Sequence, residues 1–429
     1  MSINDISGTA LGNMPVNMYD EIHVVIDNIE DFPDGRGPKP VIPIGSIEDP
    51  IRFFDYDGTL VASYKVPPDS LPKNPQHKGL VAQGWNYTLE EVEEQFLAMG
   101  TCDVGQMYIT ESGDTEIDVI MLDGRLSPYL TLGINGEVEI NWDDESSVDT
   151  ITGTSIGTNL YIPHVYATSG HYTIKIHVKS GEAAIRSEYA KPFMHGNFSS
   201  ASYNRVYGNC IKAVRLGDSM KFQGYGLSNC YHLETLTIPY TLDDIAGSTF
   251  GSCARLKFVT IPKGVTIIRS STFASTFSVI ISLPVGITTI DRYAFENSLI
   301  SFISLPYTIN TISMYAFKNC GYLRNISIPQ GITLLDSDIF STCSSLASIT
   351  IPKSVSSIYA RAFENCYGLG EIKFKRATPP TASSNVWSNL PTNCKIYVPA
   401  GSLEAYTTAA NYPSSSTYTY IEESSDIPK

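Results

Sequence analysis

The sequence predicts a mainly β fold: a repeat solenoid, preceded by a β-sandwich and a small α+β region. Three observations predict it. Pro239, Pro262, Pro284, Pro306, Pro329 and Pro352 follow one another at steps of 23, 22, 22, 23 and 23 residues. Phe250, Phe273, Phe295, Phe317, Phe340 and Phe363 keep the same beat. Charge breaks where the repeats begin: residues 1–210 hold 30 acidic and 12 basic side chains (−18), and residues 211–429 hold 14 and 17 (+3). A period in the low twenties with aliphatic slots marks a leucine-rich-repeat solenoid. Such a chain builds a wide stacked surface rather than a pocket, so recognition is the expected use.

Residues 1–50 are rich in Pro, Gly, Asp and Ile without a period and read as an extended arm or linker. Residues 51–124 form the small α+β region. IRFF, DYDGT and LVASY read as strand, turn and strand, and Thr88 with Glu91 makes a capping box for a helix reaching about Met99. Strands follow near Gly105–Ile109 and Glu116–Leu122. In residues 125–190, GEVEINWDD and HYTIKIHV alternate apolar and polar residues as half-buried sandwich strands do. A linker is expected over 191–210, the solenoid over 211–400 and a cap over 401–429.

Each repeat opens on a short strand. Leu236, Val259, Ile281, Ile303, Ile326 and Ile349 hold one inward slot; Ile238, Ile261, Leu283, Leu305, Ile328 and Ile351 hold the next, two residues on. Between them Thr237, Thr260, Ser282, Ser304, Ser327 and Thr350 form a ladder expected to face out. Proline then ends the strand, having no N–H for a ladder. The phenylalanine plugs the interior, and turns and very short strands are expected on the convex side. Cys230, Cys253, Cys320, Cys343 and Cys366 share one slot that Thr276 and Ser298 fill elsewhere. A slot accepting Cys, Thr or Ser wants a small side chain, so buried free thiols are expected. Tyr231, Tyr240, Tyr293, Tyr307, Tyr315, Tyr322, Tyr359 and Tyr367 sit at variable positions. Tyr240, Tyr293, Tyr307 and Tyr322 join the Ser/Thr ladder as the candidate binding surface, because rigid amphipathic rings serve protein and glycan contacts.

The pattern Leu-x-x-Leu-x-Ile-Pro…Ile…Ala-Phe-x-x-Cys resembles the BspA-like leucine-rich repeats of bacterial surface proteins. The ending CKIYVPAGSLEAYTTAANY is similar too, and in that family closes the solenoid with a strand and a short helix, here with Ser402 as the expected cap. The resemblance implies an adhesion or partner-binding module. Trp142, Asp144, His164, Tyr166, Gly170 and Tyr172 fit the pattern of PKD-like immunoglobulin sandwiches, which serve as spacers and adhesion units. Asp143 and Glu145 replace glycines of that pattern, leaving the turn there open to another course. Asp55–Thr59, His77–Asn86 and Asp103–Tyr108 are similar to segments in structural or tail-associated proteins of phages of gut Firmicutes.

IRFFDYDGTLV also resembles the first motif of haloacid-dehalogenase-type phosphatases, in which Asp55 would be the nucleophile and Asp57 the general acid. The magnesium-binding partners that fold needs are not evident downstream, and a turn with two exposed carboxylates, or weak calcium binding, accounts for the residues as well. His164 belongs to the sandwich pattern, and His171 and His177 fall on strands with no acidic or Cys companion, so no cofactor or metal is expected. The net charge of −15 argues against DNA or RNA as a partner, and no run of residues is long and apolar enough for membrane insertion.

These readings predict a non-enzymatic phage virion protein, made in the bacterial cytoplasm and released by lysis, since the N-terminus carries no signal-peptide pattern. The acidic half is expected to contact other virion proteins or form a homo-oligomer, and the repeats to meet a host cell-surface protein or glycan. The alternatives are a bacterial cell-surface adhesin and a phosphatase acting through Asp55.

Overall fold

The computed structural model describes residues 49–122, 126–187, 193–195, 210–277 and 279–423. The expected arm and most of the expected linker lie outside them. The first half opens with a four-stranded sheet in the order β2-β1-β4-β3, from β1 (Ile51–Phe54), β2 (Leu60–Tyr64), β3 (Leu80–Trp85) and β4 (Cys102–Thr110). Only β1 and β4 pair in parallel there. Helix α1 (Leu89–Met99) carries the expected capping box, Thr88 with Glu91, and ends on Gly100 in the left-handed region (φ 74°).

Strands β5 (Thr115–Met121), β6 (Pro128–Asn141), β7 (Asp149–Pro163) and β8 (Gly170–Ile185) build the long antiparallel sheet of the expected sandwich, and β9 (Phe193–His195), within the expected linker, pairs with β6. The residues of the Trp/His/Tyr pattern meet: the Trp142 and His164 rings stack at 4.3 Å, and His164 Nε2 lies 2.8 Å from Asp144. Asp143 and Glu145 adopt φ of 65° and 63°, so the turn keeps a backbone that suits glycine although neither residue is one.

The expected boundary near 210 is absent from the packing. Strand β10 (Ile211–Arg215) pairs antiparallel with β5 and parallel with the first repeat strand, β12 (Thr235–Thr237), while β11 (Met220–Phe222) extends β8. β5 therefore belongs to the sandwich sheet rather than to the α+β region. One hydrophobic core runs unbroken from Ile117 to Tyr406. The solenoid begins as an extension of the sandwich, which buries its first turn.

The solenoid makes about nine turns. Its strand face comprises β12, β13 (Phe258–Thr260), β15 (Ile280–Ser282), β19 (Ser348–Ile351), β21 (Glu371–Phe374), β23 (Lys395–Val398) and β24 (Thr419–Glu422). Its convex side has turns and the two-residue strands β14 (Ile267–Ile268), β16 (Thr289–Ile290), β17 (Thr311–Ile312), β18 (Leu334–Leu335), β20 (Ser357–Ile358) and β22 (Thr381–Ala382), as expected. The six phenylalanines stack at 5.0–5.6 Å between centroids, and Trp387 continues the stack 5.2 Å beyond Phe363. The shared cysteine slot is buried; Cys320, Cys343 and Cys366 each donate to the carbonyl of the preceding turn's phenylalanine at 3.1–3.2 Å. Burial pushes the Cys253 and Cys366 thiols up to about 12. At the far end the short helix α2 (Leu403–Thr407) is not capped by the Ser402 side chain; Glu422 instead accepts from the N–H groups of Ser402 and Leu403. An anionic acceptor at a helix start complements the exposed N–H groups better than a hydroxyl.

Candidate binding surface

The strand face is the surface a solenoid offers, and here the chain covers much of it with its own first sheet. Strand β4 crosses successive turns of the solenoid. Three ladder hydroxyls donate to carbonyls of β4 or of the residue before it: Thr260 to Gln106 O at 3.1 Å, Ser282 to Asp103 O at 2.7 Å, and Ser304 to Thr101 O at 3.1 Å. β1 runs beside it, with Phe54 packed on Phe258 at 5.3 Å and the Arg52 guanidinium 4.9 Å over Phe302. Arg52 and Asp103 join the two strands by a buried bidentate pair at 2.8 and 3.0 Å. Burial raises the Asp103 carboxyl above its ordinary range, against the opposing pull of Arg52.

Residues after β3 and on α1 complete the seam. The Asn86 amide donates to Ile261 O, Ser282 O and Ser282 Oγ, and its oxygen accepts from Gly105 N. Tyr87 donates to Leu283 O, and Gln95 donates to Leu305 O while accepting from Tyr307 N. Lys263 pairs with Glu91 at 2.6 Å. Glycine at 105 is a packing requirement: a Cβ there would lie 2.7 Å from Thr260 Cγ2, 2.9 Å from its Cβ and closer still to its hydroxyl.

The ladder therefore does not face out as a whole. Thr237, Thr260, Ser282 and Ser304 are buried, and only Ser327 and Thr350 are exposed. Beyond Thr350 the same column continues as Lys373 and Tyr397, set in register by the β19–β21–β23 pairing. Lys373 pairs with Glu371 at 2.7 Å and lies 5.3 Å over the Tyr397 ring. The open stretch is thus two hydroxyls followed by an ammonium and a phenol, a mixed donor strip.

The candidate tyrosines divide likewise. Tyr240 is 58% exposed, but Tyr307 donates to Glu94 of α1 at 2.6 Å, which pushes its hydroxyl up to about 12. Tyr293 stacks on Tyr315 at 4.9 Å on the convex side, away from the strands, and Tyr322 is half-buried. Tyr231, expected at the surface, is buried. Tyr359 and Tyr367 are exposed.

Asp55 is buried. One of its oxygens meets His77 Nε2 at 2.7 Å, and the other accepts from Tyr56 N at 2.8 Å. Asp57 accepts from Thr59 N, closing the β1–β2 turn. Of the other histidines, His177 pairs with Asp114 at 2.7 Å and His171 is exposed. Among the described residues, no three His, Cys, Asp or Glu side chains are grouped to hold a metal ion, and no helix is long and apolar enough to cross a membrane.

The stacked turns, proline-ended strands and phenylalanine column define a leucine-rich-repeat solenoid. Residues 203–300 and 268–391 match the family model described as BspA type Leucine rich repeat region. No curated protein matches the chain significantly. Among solved structures, a leucine-rich repeat protein from Bacteroides ovatus is 17% identical over 68% of this chain and 78% of its own (TM-score 0.32). The T. pallidum Leucine Rich Repeat protein is 23% identical over 36% of this chain and 78% of its own (TM-score 0.28). A leucine rich cell surface protein from Faecalibacterium prausnitzii is 19% identical over 58% and 91% (TM-score 0.27). At TM-scores this low these likenesses add nothing to the repeat architecture.

Proposed function

We propose that the chain is a non-enzymatic binding protein that presents the open end of its solenoid strand face to a cell-surface protein or glycan. One observation carries this reading: the chain covers the early rungs of the ladder with its own sheet and leaves Ser327, Thr350, Lys373 and Tyr397 uncovered by it. The resemblance of the repeats to those of bacterial surface proteins supports surface recognition. The likeness of the first sheet to phage tail-associated segments favours a phage particle as the carrier, and the bacterial envelope is the second reading. In either case Asp55 works as a turn residue, its carboxylate held by His77 and the Tyr56 amide.

Immunogold labelling of the producing culture, before and after lysis, separates the carriers. Label on particles supports the virion reading, and label on the envelope of intact cells rejects it. Labelled protein carrying Thr350→Trp should lose cell binding while remaining folded; full binding by that variant would reject the strand face as the contact. Hydrolysis of p-nitrophenyl phosphate with magnesium, abolished in Asp55→Asn, would reject the non-enzymatic reading.

A further inference from the structure

The covered half of the ladder shows what its hydroxyls recognise, and this bears on the open half. Thr260, Ser282 and Ser304 each donate to a main-chain carbonyl of one extended strand, at Gln106, Asp103 and Thr101 in turn. Thr101 and Asp103 precede the pairing with β3, and Gln106 is the first β4 residue within it. A strand advances about 3.3 Å per residue, and the strands of a sheet lie about 4.8 Å apart. An extended chain crossing the turns obliquely therefore offers one carbonyl per rung every two or three residues. The contact also demands a small residue where chain and ladder cross, which Gly105 supplies against Thr260. A main-chain carbonyl is bound at all three rungs; Ser304 also meets the Thr101 hydroxyl at 3.1 Å, and Ser282 also bonds the Asn86 amide.

We infer that Ser327 and Thr350 take an extended polypeptide segment of a protein partner, laid obliquely across the turns with its carbonyls accepting from the two hydroxyls. This rests on the strand-face reading above and narrows it to a partner class. The open rungs continue the covered ones without a break: Ser327 bridges in parallel to Thr350, and Thr350 pairs with Lys373. Their hydroxyls have the chemistry of the three that already hold a strand. Lys373 then offers a further donor, suited to another carbonyl or an acidic side chain. The segment must carry Gly where it crosses Thr350, as β4 does at Thr260. This is strand recognition by a ladder of side chains, distinct from pairing at a sheet edge.

The test is a selection of random peptides displayed on filamentous phage against the full chain, with counter-selection against the chain carrying Thr350→Trp. The expected result is a set of peptides with glycine at a fixed position and no proline beside it. Ser327→Ala with Thr350→Ala should weaken their binding by about tenfold, the loss of two modest hydrogen bonds, and Tyr359→Ala on the convex side should leave it unchanged. Peptides that bind the tryptophan variant equally well would overturn the inference. So would a glycan array on which sugars bind through Ser327 and Thr350 while no peptide is enriched. That outcome keeps the surface-recognition reading and removes only the partner class. If Thr350→Trp also leaves cell binding intact, both fail together.

Discussion

Gly105→Ala tests the docked arrangement most directly, because local propensity and packing give it opposite signs. In an isolated strand the change helps by about 0.5–1 kcal/mol, since glycine loses more backbone freedom on folding. In this molecule the new methyl would sit 2.7 Å from Thr260 Cγ2 and 2.9 Å from Thr260 Cβ, about 1 Å inside ordinary carbon–carbon contact. β4 cannot back away, because Asn86, Ser282 and Arg52 hold it on both sides of the contact. Overpacking of this kind costs about 1–3 kcal/mol, and losing the Thr260 bond to Gln106 O adds about 1 kcal/mol. The net expectation is a loss of about 2–3 kcal/mol in urea denaturation followed by tryptophan fluorescence, with Trp142 and Trp387 replaced by Phe in parent and variant so that Trp85 of the docked sheet reports alone. Thr260→Gly removes all three clashing atoms, so the double variant should recover more than about 1 kcal/mol beyond additivity. A Gly105→Ala protein as stable as the parent, or more so, would refute the docking.

Phe317→Ala should cost about 3–5 kcal/mol, because stacked rings at 5.0 and 5.6 Å on either side cannot collapse into the hole; a loss under about 1 kcal/mol in chemical denaturation would count against a packed column. Asp103→Ala strands the buried Arg52 guanidinium and should destabilise by about 3–5 kcal/mol, with proteolysis releasing the first sheet from the solenoid. The buried thiols set an alkaline limit. Cys253 and Cys366 keep their protons up to about 12 when folded, whereas free thiols ionise from about 8.5. Above that value the unfolded chain therefore binds fewer protons, and stability should fall as pH rises from about 9 toward 12. Urea midpoints at pH 7.5 and 10 check the direction. A thiol reagent should react with these cysteines only as the chain unfolds, and rapid labelling of the native protein would contradict their burial.

The repeat was legible in the sequence because each of its slots is local. A strand's inward pair, the proline that ends it and the phenylalanine all fall within one period, and six copies reinforce one another. Trp387 escaped that reading because it stands 24 residues after Phe363, in a divergent turn with a different aromatic. The left-handed residues Asn297, Asn319 and Asn365 were also legible but unread: asparagine two places after the phenylalanine tolerates the positive φ each of them adopts, near 60°. The docking lay beyond a reading by periodicity. It joins residues more than 150 positions apart, such as Asn86 with Ser282 and Gln106 with Thr260. A ladder of hydroxyls facing a strand looks the same in sequence as one facing water. The signals that could have pointed to it were a glycine inside an apolar strand and the polar residues Asn86 and Gln95 amid apolar neighbours. They identify a close contact without naming its partner.

The covered seam also governs how this molecule can change in length. Both ends of the solenoid are closed, one by the β5 and β8 extensions and the other by α2 and β24. Within the first turns, spacing is measured against a strand of fixed length: a duplicated turn between Thr260 and Ser304 would carry Gly105 and Thr101 out of step with their rungs. A turn duplicated or deleted after Tyr307 disturbs none of these contacts. Growth in steps of 22 or 23 residues is therefore confined to the segment that carries Ser327 and Thr350. The reach of the exposed strip can vary there while its mounting stays constant.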